Sequence, residues 1–248
     1  MDNIKVAKNR LSGWSNTTYS TSRTYYPTKY EEIIEIFKFA LSNNLTVSIV
    51  GGMRSYSDNF LNSEISININ NLKKIIELNR NELLVQSGVT FYEIIEFLDN
   101  KGLMTEVIPG TGHVTIGGAI SNNIHGKNAF KSGFFGNHVN EITYINLSSF
   151  KIEKCTREKN RDIFYSIISG LGVIGVILEV KINLKEIKHL TVSENHISIN
   201  NINNLLTKIN EIEKEADYLI ASIDLSSNLK KNSFAKLSYS KLTNIESK

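Results

Sequence analysis

The chain has 248 residues, of which 41% are hydrophobic, and its formal net charge is +3. This length suits one large domain or one and a half ordinary domains, and the hydrophobic fraction is normal for a globular protein. The charge is spread along the chain without a long basic block, which argues against nucleic acid as the main partner.

The single cysteine, Cys155, excludes a disulfide within the chain and a multi-cysteine metal site. The first residues, MDNIKVAKNR, lack the apolar core of a signal peptide. The sequence contains no run of about 18 apolar residues, which a membrane-spanning helix would require. Together these features predict a cytoplasmic protein without a transmembrane segment.

The first half of the chain is predicted to alternate helices and strands. After a polar, aromatic opening that ends at Pro27, apolar residues at helical spacing predict a helix over KYEEIIEIFKFALSNN. LTVSIV, EISININ and ELLVQSG read as strands, and the alternating isoleucines of EISININ predict one buried face. TFYEIIEFLDNKG then predicts a second helix with ordinary capping residues at its ends.

The second half opens with the most glycine-rich part of the chain, residues 103–142. TYINLSS and FKIEKCT then predict a β-hairpin, NRDIFYSIIS a helix, and GLGVIGVILEVKINL a long strand. After Lys185 the pattern changes to a strand (HLTVSENHISI), a helix (NINNLLTKINEIEKEA) and two strands (DYLIASIDLS and FAKLSYSKL). We therefore predict a domain boundary near residue 187.

The segment GLGVIG, residues 170–175, satisfies the dinucleotide motif GxGxxG literally. That motif needs a strand before it and a helix after it, so that a pyrophosphate meets a helix N-terminus. The predicted order here is the reverse. We therefore interpret the segment as a glycine turn from helix to strand, whose glycines could still pass close to a ligand.

Three donor-rich loops form the candidate binding site. Residues 50–59 (VGGMRSYSDN) offer two glycines and hydroxyl and guanidinium donors, which suits an anion. Residues 109–123 (PGTGHVTIGGAISNN) place further donors near a short helix start. The third loop is the opening stretch. Each loop alone is typical of an ordinary turn, but the three together suit a long ligand with a pyrophosphate.

The absence of the P-loop motif GxxxxGK from the sequence argues against a kinase or ATPase.

The motifs GGMRSYSDN, PGTGHVTIGGAISNNIHGKN, GFFGNHV and SGLGVIGVI, in this order and spacing, resemble the FAD-binding domain of the vanillyl-alcohol-oxidase (PCMH-type) flavoprotein family. Together with LSGW near the N-terminus, they are most similar to the decaprenylphosphoryl-ribose 2'-oxidase branch, close to the aldonolactone oxidases. The resemblance covers nearly the whole chain. It implies an α+β fold: a PCMH-type FAD-binding domain of two α+β subdomains over residues 1–186, and the beginning of a substrate (cap) domain over residues 187–248.

The resemblance also implies which residues bind FAD. The first loop would hold the pyrophosphate, the second would line the flavin and its phosphates, and residues 175–177 would lie near the adenine. The implied cofactor-binding residues are Val50, Gly51, Gly52, Met53, Arg54, Ser55, Tyr56, Ser57, Asn59, Pro109, Gly110, Thr111, Val114, Thr115, Gly117, Gly118, Ala119, Asn122, Asn123, Ile124, His125, Gly126, Asn128, His138, Val139, Gly175, Val176 and Ile177.

Two residues are implied to be catalytic. His125 would lie against the isoalloxazine near the substrate, with Lys127 beside it. Lys127 either contacts substrate or cofactor or is a solvated lysine. A metal site is not expected, because His113, His125 and His138 follow one another at intervals of 12 and 13 residues, which fit no usual ligand pattern.

A departure from the family pattern bears on how FAD is held. Aldonolactone oxidases carry a histidine in the first loop that bonds covalently to the flavin, and this chain has Arg54 there. Cys155 matches no flavin-linking cysteine of the family. The resemblance therefore implies non-covalent FAD.

The implied activity is oxidation of a secondary alcohol of a sugar, by hydride transfer to flavin N5. The substrate would be a polyprenyl-phosphate-linked or nucleotide-linked sugar, or an aldonolactone, in cell-envelope biosynthesis. A lipid-linked substrate would place the protein at the inner membrane face. Complete family members are longer, so we expect that a second polypeptide supplies a C-terminal half, or that the chain is truncated. The alternative is a non-catalytic FAD-binding subunit that needs a partner chain.

Overall fold

The computed structural model describes residues 4–187, 191–224 and 234–243. The last residues of the predicted strand DYLIASIDLS, the first two of HLTVSENHISI and most of the closing LTNIESK lie outside them. The helices are α1 (Tyr30–Ser42), α2 (Phe91–Leu98), α3 (Ile116–Ser121), α4 (Ala129–Ser132), α5 (Arg161–Ile167) and α6 (Ile202–Ile212). The strands are β1 (Val6–Ser12), β2 (Tyr19–Tyr25), β3 (Val47–Val50), β4 (Ile65–Asn68), β5 (Ile75–Asn79), β6 (Glu82–Gln86), β7 (Leu103–Thr105), β8 (Val139–Asn146), β9 (Lys151–Thr156), β10 (Gly175–Glu186), β11 (Thr191–Ile199), β12 (Tyr218–Ile223) and β13 (Ala235–Thr243).

The first sheet has the strand order β1-β2-β4-β3, with β2, β4 and β3 parallel to one another. β1 and β2 form an antiparallel hairpin from the opening stretch, where the sequence predicted no strands. Its hydrophobic signal is weak because β1 lies at the sheet edge and only one of its seven residues is buried. The prediction of one buried face for EISININ is wrong: all four residues of β4 are buried, since β4 is an inner strand.

The second sheet is antiparallel, with the order β5-β6-β10-β8-β9 and β7 paired to β10. The predicted hairpin is confirmed as β8 and β9, and the predicted long strand as β10. Helices α2, α3 and α5 supply apolar side chains to the core of this sheet, among them Phe91, Ile116 and Phe164. The helix α5 precedes the segment GLGVIG and β10 follows it, which confirms the order that argued against a dinucleotide motif.

A polar contact joins the helix α1 to the second sheet. The hydroxyl of Tyr30, at the start of α1, donates to Glu179 Oε1 of β10 at 2.8 Å and accepts from Gln86 Nε2 of β6 at 2.8 Å. Burial and the nearby Glu179 carboxylate raise the pKa of Tyr30 to about 12, so the hydroxyl stays protonated and keeps donating. The two α+β subdomains thus share a hydrogen-bonded link, and the predicted α+β class is confirmed.

The third sheet, β11-β13-β12, packs against α6 around a separate apolar core that includes Leu205 and Leu237. The predicted boundary near residue 187 falls between β10 and β11 and stays a prediction. Of the helices in the described ranges, none is both long and apolar enough to cross a membrane.

Candidate functional site

A cavity of about 300 Å³ opens between the first two sheets. It is lined by the end of β3, the start of β10, the helix α3 and the loops beside them. The lining residues are Ile49, Gly51, Gly52, Met53, Arg54, Ser55, Tyr56, Asn59, Phe60, Ile69, Val114, Thr115, Gly117, Gly118, Ser121, Asn122, Ile124, Leu171, Gly172, Gly175, Val176 and Ile177. The volume is at the lower end of the range for ligand pockets, and its open mouth suits a ligand that extends beyond it.

The two predicted phosphate loops meet at this cavity. A Cβ on Gly52 would overlap the carbonyl oxygen of His113, and one on Gly51 would overlap the Thr115 hydroxyl. The next residue, Met53, has a left-handed φ of 53°, which is uncommon outside glycine. The loops can therefore approach this closely only because glycines occupy positions 51 and 52.

The loop after β3 offers unused donors to a ligand. Within the described part of the chain, no hydrogen bond takes up the backbone N–H groups of residues 51–56. The turn of successive N–H groups around Met53 suits an anion. Arg54 is exposed beside it, with its guanidinium carbon 5.2 Å from the Trp14 ring centroid. These donors fit the diphosphate of FAD.

The second loop is shaped by its own hydrogen bonds. Thr115 caps α3, because its Oγ1 accepts from the N–H of Gly118 at 3.3 Å. Asn122 Nδ2 donates to the carbonyl of Gly118 at 3.0 Å, and Asn122 Oδ1 accepts from Asn59 Nδ2 at 3.0 Å. The side chains of Asn59 and Asn122 thus join the two loops across the cavity.

Other predicted residues lie behind or beside the cavity wall. Val50, Ala119 and Val139 are fully buried, backbone and side chain alike, so they lie behind the surface that a cofactor would contact. Ser57 lines a small adjoining pocket with Tyr56. The other predicted positions outside the lining are Pro109, Gly110, Thr111, Asn123, His125, Gly126, Asn128 and His138.

Residues 122–139, here called the histidine loop, continue from the cavity at Ile124. His125 and Lys127 are exposed directly beyond it. The His125 ring meets the Phe134 ring edge-on, with centroids 5.9 Å apart, and the two residues also form a β-bridge. His138 Nε2 is 2.8 Å from the carbonyl oxygen of Ser132, so this ring braces the loop.

The far end of the histidine loop is held by two polar residues. Asn123 Oδ1 accepts from the N–H of Gly136 at 2.9 Å. The Nη2 of Arg157 donates to the carbonyls of Gly136, Asn137 and Val139 at 2.8, 2.9 and 3.2 Å. Sequence reasoning missed Arg157, because only the folded chain brings β9 to this loop.

Several lining residues were also missed by sequence reasoning: Ile49, Phe60, Ile69, Ser121, Leu171 and Gly172. The apolar ones resemble ordinary core residues in sequence. Leu171 and Gly172 lie in the rejected GxGxxG segment, with left-handed φ values of 51° and 79°. Gly172 and Gly175 of this turn line the cavity, although the motif geometry is absent. In the described residues, no group of three His, Cys, Asp or Glu side chains is placed to hold a metal ion.

Comparison with known proteins identifies the domain. The profile of the family "FAD binding domain" matches residues 21–155, which is more than half of the chain. Decaprenylphosphoryl-beta-D-ribose oxidase of Mycolicibacterium smegmatis is 30% identical over 71% of this chain and 39% of its own length. L-gulonolactone oxidase of Mus musculus is 26% identical over 73% and 41%. D-arabinono-1,4-lactone oxidase of Kluyveromyces lactis is 24% identical over 70% and 34%.

This chain therefore spans about two fifths or less of the length of these relatives. The match includes both loops that meet at the cavity and the histidine loop. Since the family profile covers more than half of the chain, and the donors of residues 51–56 suit a diphosphate, the chain belongs to the FAD-binding domain family, and its cofactor is FAD.

Proposed function

We propose that the chain is the FAD-binding part of an oxidoreductase that oxidises a CH–OH group of a sugar or sugar lactone. The observation that carries the proposal is the cavity between the two sheets, where two donor-rich loops meet and from which the histidine loop continues. The names of the relatives, a ribose oxidase and two lactone oxidases, support this substrate class.

Bound FAD would supply the two-electron acceptor of this oxidation. The backbone N–H groups of residues 51–56 and the Arg54 guanidinium would hold the diphosphate. Arg54 offers no nucleophile that could form a covalent flavin bond, so the proposed binding is non-covalent. Gly175, Val176 and Ile177, which line the cavity at the start of β10, would contact the adenosine part.

His125 and Lys127 are the proposed catalytic residues. Alcohol oxidation requires a group that accepts the hydroxyl proton, and a positioned histidine or lysine can do so. Both side chains are exposed beyond the Ile124 end of the cavity, where a substrate could reach them. The edge-on contact with Phe134 restricts the His125 ring, which would orient one ring nitrogen toward the substrate.

The proposed substrates are a polyprenyl-phosphate-linked pentose, a similar glycan precursor or an aldonolactone. A lipid-linked sugar would fit a role in cell-envelope biosynthesis, with the protein working at the inner membrane face. A second polypeptide that supplies further substrate-binding residues belongs to the same proposal.

The test begins with an absorbance spectrum of the purified chain before and after acid precipitation. A flavin band that moves to the supernatant would support a non-covalent FAD site. A flavin that stays in the precipitate would overturn the non-covalent reading. A chain that is colourless and takes up no added FAD would overturn the proposed function of this chain alone.

A second step separates catalysis from binding. The FAD-loaded chain is screened for flavin bleaching by sugar lactones and by a polyprenyl-phosphate pentose. With FAD saturating, His125→Gln should lower the bleaching rate by about a hundredfold or more, since general-base catalysis contributes on this order. Bound FAD without bleaching by any of these sugars would favour the alternative, a non-catalytic FAD-binding subunit that needs a partner chain.

A further inference from the structure

The outer side of the histidine loop is anchored by a chain of polar groups that does not line the cavity. Ser132 Oγ donates to Glu106 Oε1 at 2.6 Å. Asn128 Nδ2 donates to the backbone carbonyl of Glu106 at 2.7 Å and to Ser132 Oγ at 3.1 Å. Asn128 is only 2% exposed, so the two bonds that it donates are largely shielded from water. Hydrogen bonds are stronger in such surroundings than in water.

Glu106 is also connected to the third sheet through Lys185 of β10. Its Oε1 lies 3.8 Å from Lys185 Nζ, and the two side chains are 26% and 24% exposed. The same ammonium group is 6.0 Å from the ring centroid of Tyr218, the first residue of β12. Glu106 follows directly after β7, and Lys185 pairs with Met104 of that strand, so both partners are positioned by the second sheet.

The third sheet contacts the histidine loop as well. The N–H of Leu219 in β12 donates to the carbonyl of Lys127 at 2.9 Å. Lys131 Nζ lies 3.4 Å from Asp217 Oδ1. The segment between Lys127 and Ser132 is therefore bound on one side by Glu106 and on the other by the start of β12.

We propose that Glu106 is a positioning residue, which acts through Ser132 and Asn128 to fix the segment that carries His125 and Lys127 against the third sheet. The inference rests on the proposed function, in which His125 and Lys127 act on the substrate. Glycines at positions 126 and 133, the latter with a φ of 66°, give this segment access to other conformations. A charge-assisted bond to a carboxylate is strong enough to select one of them.

The consequence is a coupling between the three-stranded sheet and the proposed catalytic side chains. A partner or substrate that moves β12 would shift the carbonyl of Lys127. This shift would strain the hydrogen bonds that hold Ser132 and Asn128 at Glu106. Glu106 thus has a role at the site without touching cofactor or substrate.

The test uses hydrogen–deuterium exchange of the full chain, first without added FAD. The variants are Glu106→Ala, Ser132→Ala and the double variant, with Glu106→Gln as the conservative change and Glu96→Ala on the exposed face of α2 as the matched control. Each single variant should speed exchange of the amides of residues 131–133 by about tenfold or more, the size expected for a lost bond to a charged group. Because the side-chain bond of Glu106 runs to Ser132, and Ser132→Ala also loses the bond from Asn128 Nδ2, the double variant should exchange no faster than Ser132→Ala.

Glu106→Gln keeps an acceptor oxygen for Ser132 and should recover most of the protection. In the Glu106 and Ser132 variants, exchange of the amides of β8 and α2 should not change. This result separates the loss of a local anchor from a general loss of structure. The proposal would be overturned if Glu106→Ala exchanged at the wild-type rate, or if the effects added up in the double variant. Faster exchange throughout the domain would overturn it as well.

The effect on the site is read from the visible circular dichroism of the flavin after FAD is added. Glu106→Ala should change the shape of this spectrum, and Glu96→Ala should not. An unchanged spectrum in Glu106→Ala would overturn the positioning role. A chain that binds no FAD would overturn the proposed function, whereas the exchange comparison would still decide whether Glu106 anchors the loop.

Discussion

Gly52 lies so close to His113 that a Cβ at position 52 would overlap the carbonyl oxygen of His113. The overlapping atom belongs to the backbone of His113, so it cannot move away by a rotamer change as a side-chain atom could. This approach brings the loop after β3 against the loop before α3, and the two loops form one wall of the cavity. The absence of a side chain at Gly52 is therefore a condition for the shape of the FAD site.

The first prediction concerns this contact. Gly52→Ala should separate the two loops and weaken FAD binding about fivefold to 150-fold, since overpacking costs about 1–3 kcal/mol. Gly110→Ala is the contrast, because a Cβ there meets nothing within 4 Å, and its effect should be much smaller. Quenching of FAD fluorescence on titration measures both affinities. Equal affinities for the two variants would contradict the steric argument.

The second prediction concerns Arg157, which holds the end of the histidine loop. Arg157→Lys should lower FAD affinity and the free energy of unfolding by about 1–3 kcal/mol, because one ammonium group cannot reproduce the placement of the guanidinium against three carbonyls and the Phe164 ring. Arg161→Lys is the control, since Arg161 is exposed and its guanidinium lies over the Tyr165 ring. Urea unfolding and FAD titration give the two quantities, and identical results for both variants would argue against the role of Arg157.

The third prediction concerns the link between α1 and the second sheet. Tyr30→Phe removes the hydroxyl that joins Gln86 and Glu179 and should lower the free energy of unfolding by about 1–3 kcal/mol. Tyr92→Phe, at an exposed tyrosine of α2, should have little effect. Chemical denaturation of the three proteins checks this, and a variant Tyr30→Phe as stable as the wild type would refute it.

The pH dependence of the same link has a definite sign. Burial raises the pKa of Tyr30 from 10.0 to about 12, so the folded state favours the protonated hydroxyl. Its contribution to stability is present in full below pH 10 and is lost as the pH rises toward 12. The stability difference between the wild type and Tyr30→Phe should therefore narrow over this interval. If the difference in free energy of unfolding widened as the pH rose from 10 toward 12, the prediction would be wrong.

The fourth prediction concerns Cys155. It is fully buried, and burial, together with Glu141 and Glu153, raises the pKa of its thiol to about 12. Because the thiolate is the reactive form, Cys155 in the native protein should resist thiol reagents at neutral pH and react on unfolding. Ser42→Cys adds an exposed thiol at the end of α1 as the control. Native labelling of Cys155 at the rate of that control would contradict the buried position.

The sequence determined the local structure wherever one face of an element is apolar. α1 and α2 follow helical spacing, and the hairpin of β8 and β9 follows alternation. The same two patterns predicted a helix before GLGVIG and a strand after it. The motifs also identified the FAD-binding domain, because close backbone approach requires glycine at fixed positions. These signals are local, so they can be read from neighbouring residues in the chain.

The tertiary structure decided what depends on residues far apart in the chain. It turned the polar opening into the hairpin of β1 and β2, and it buried both faces of β4 between two parallel neighbours. It brought Arg157 and Glu106 to the histidine loop, although neither belongs to a motif. Hydrogen bonds to backbone carbonyls and to single side chains carry no periodicity in sequence, and only the packing of the sheets places their donors and acceptors within bonding distance.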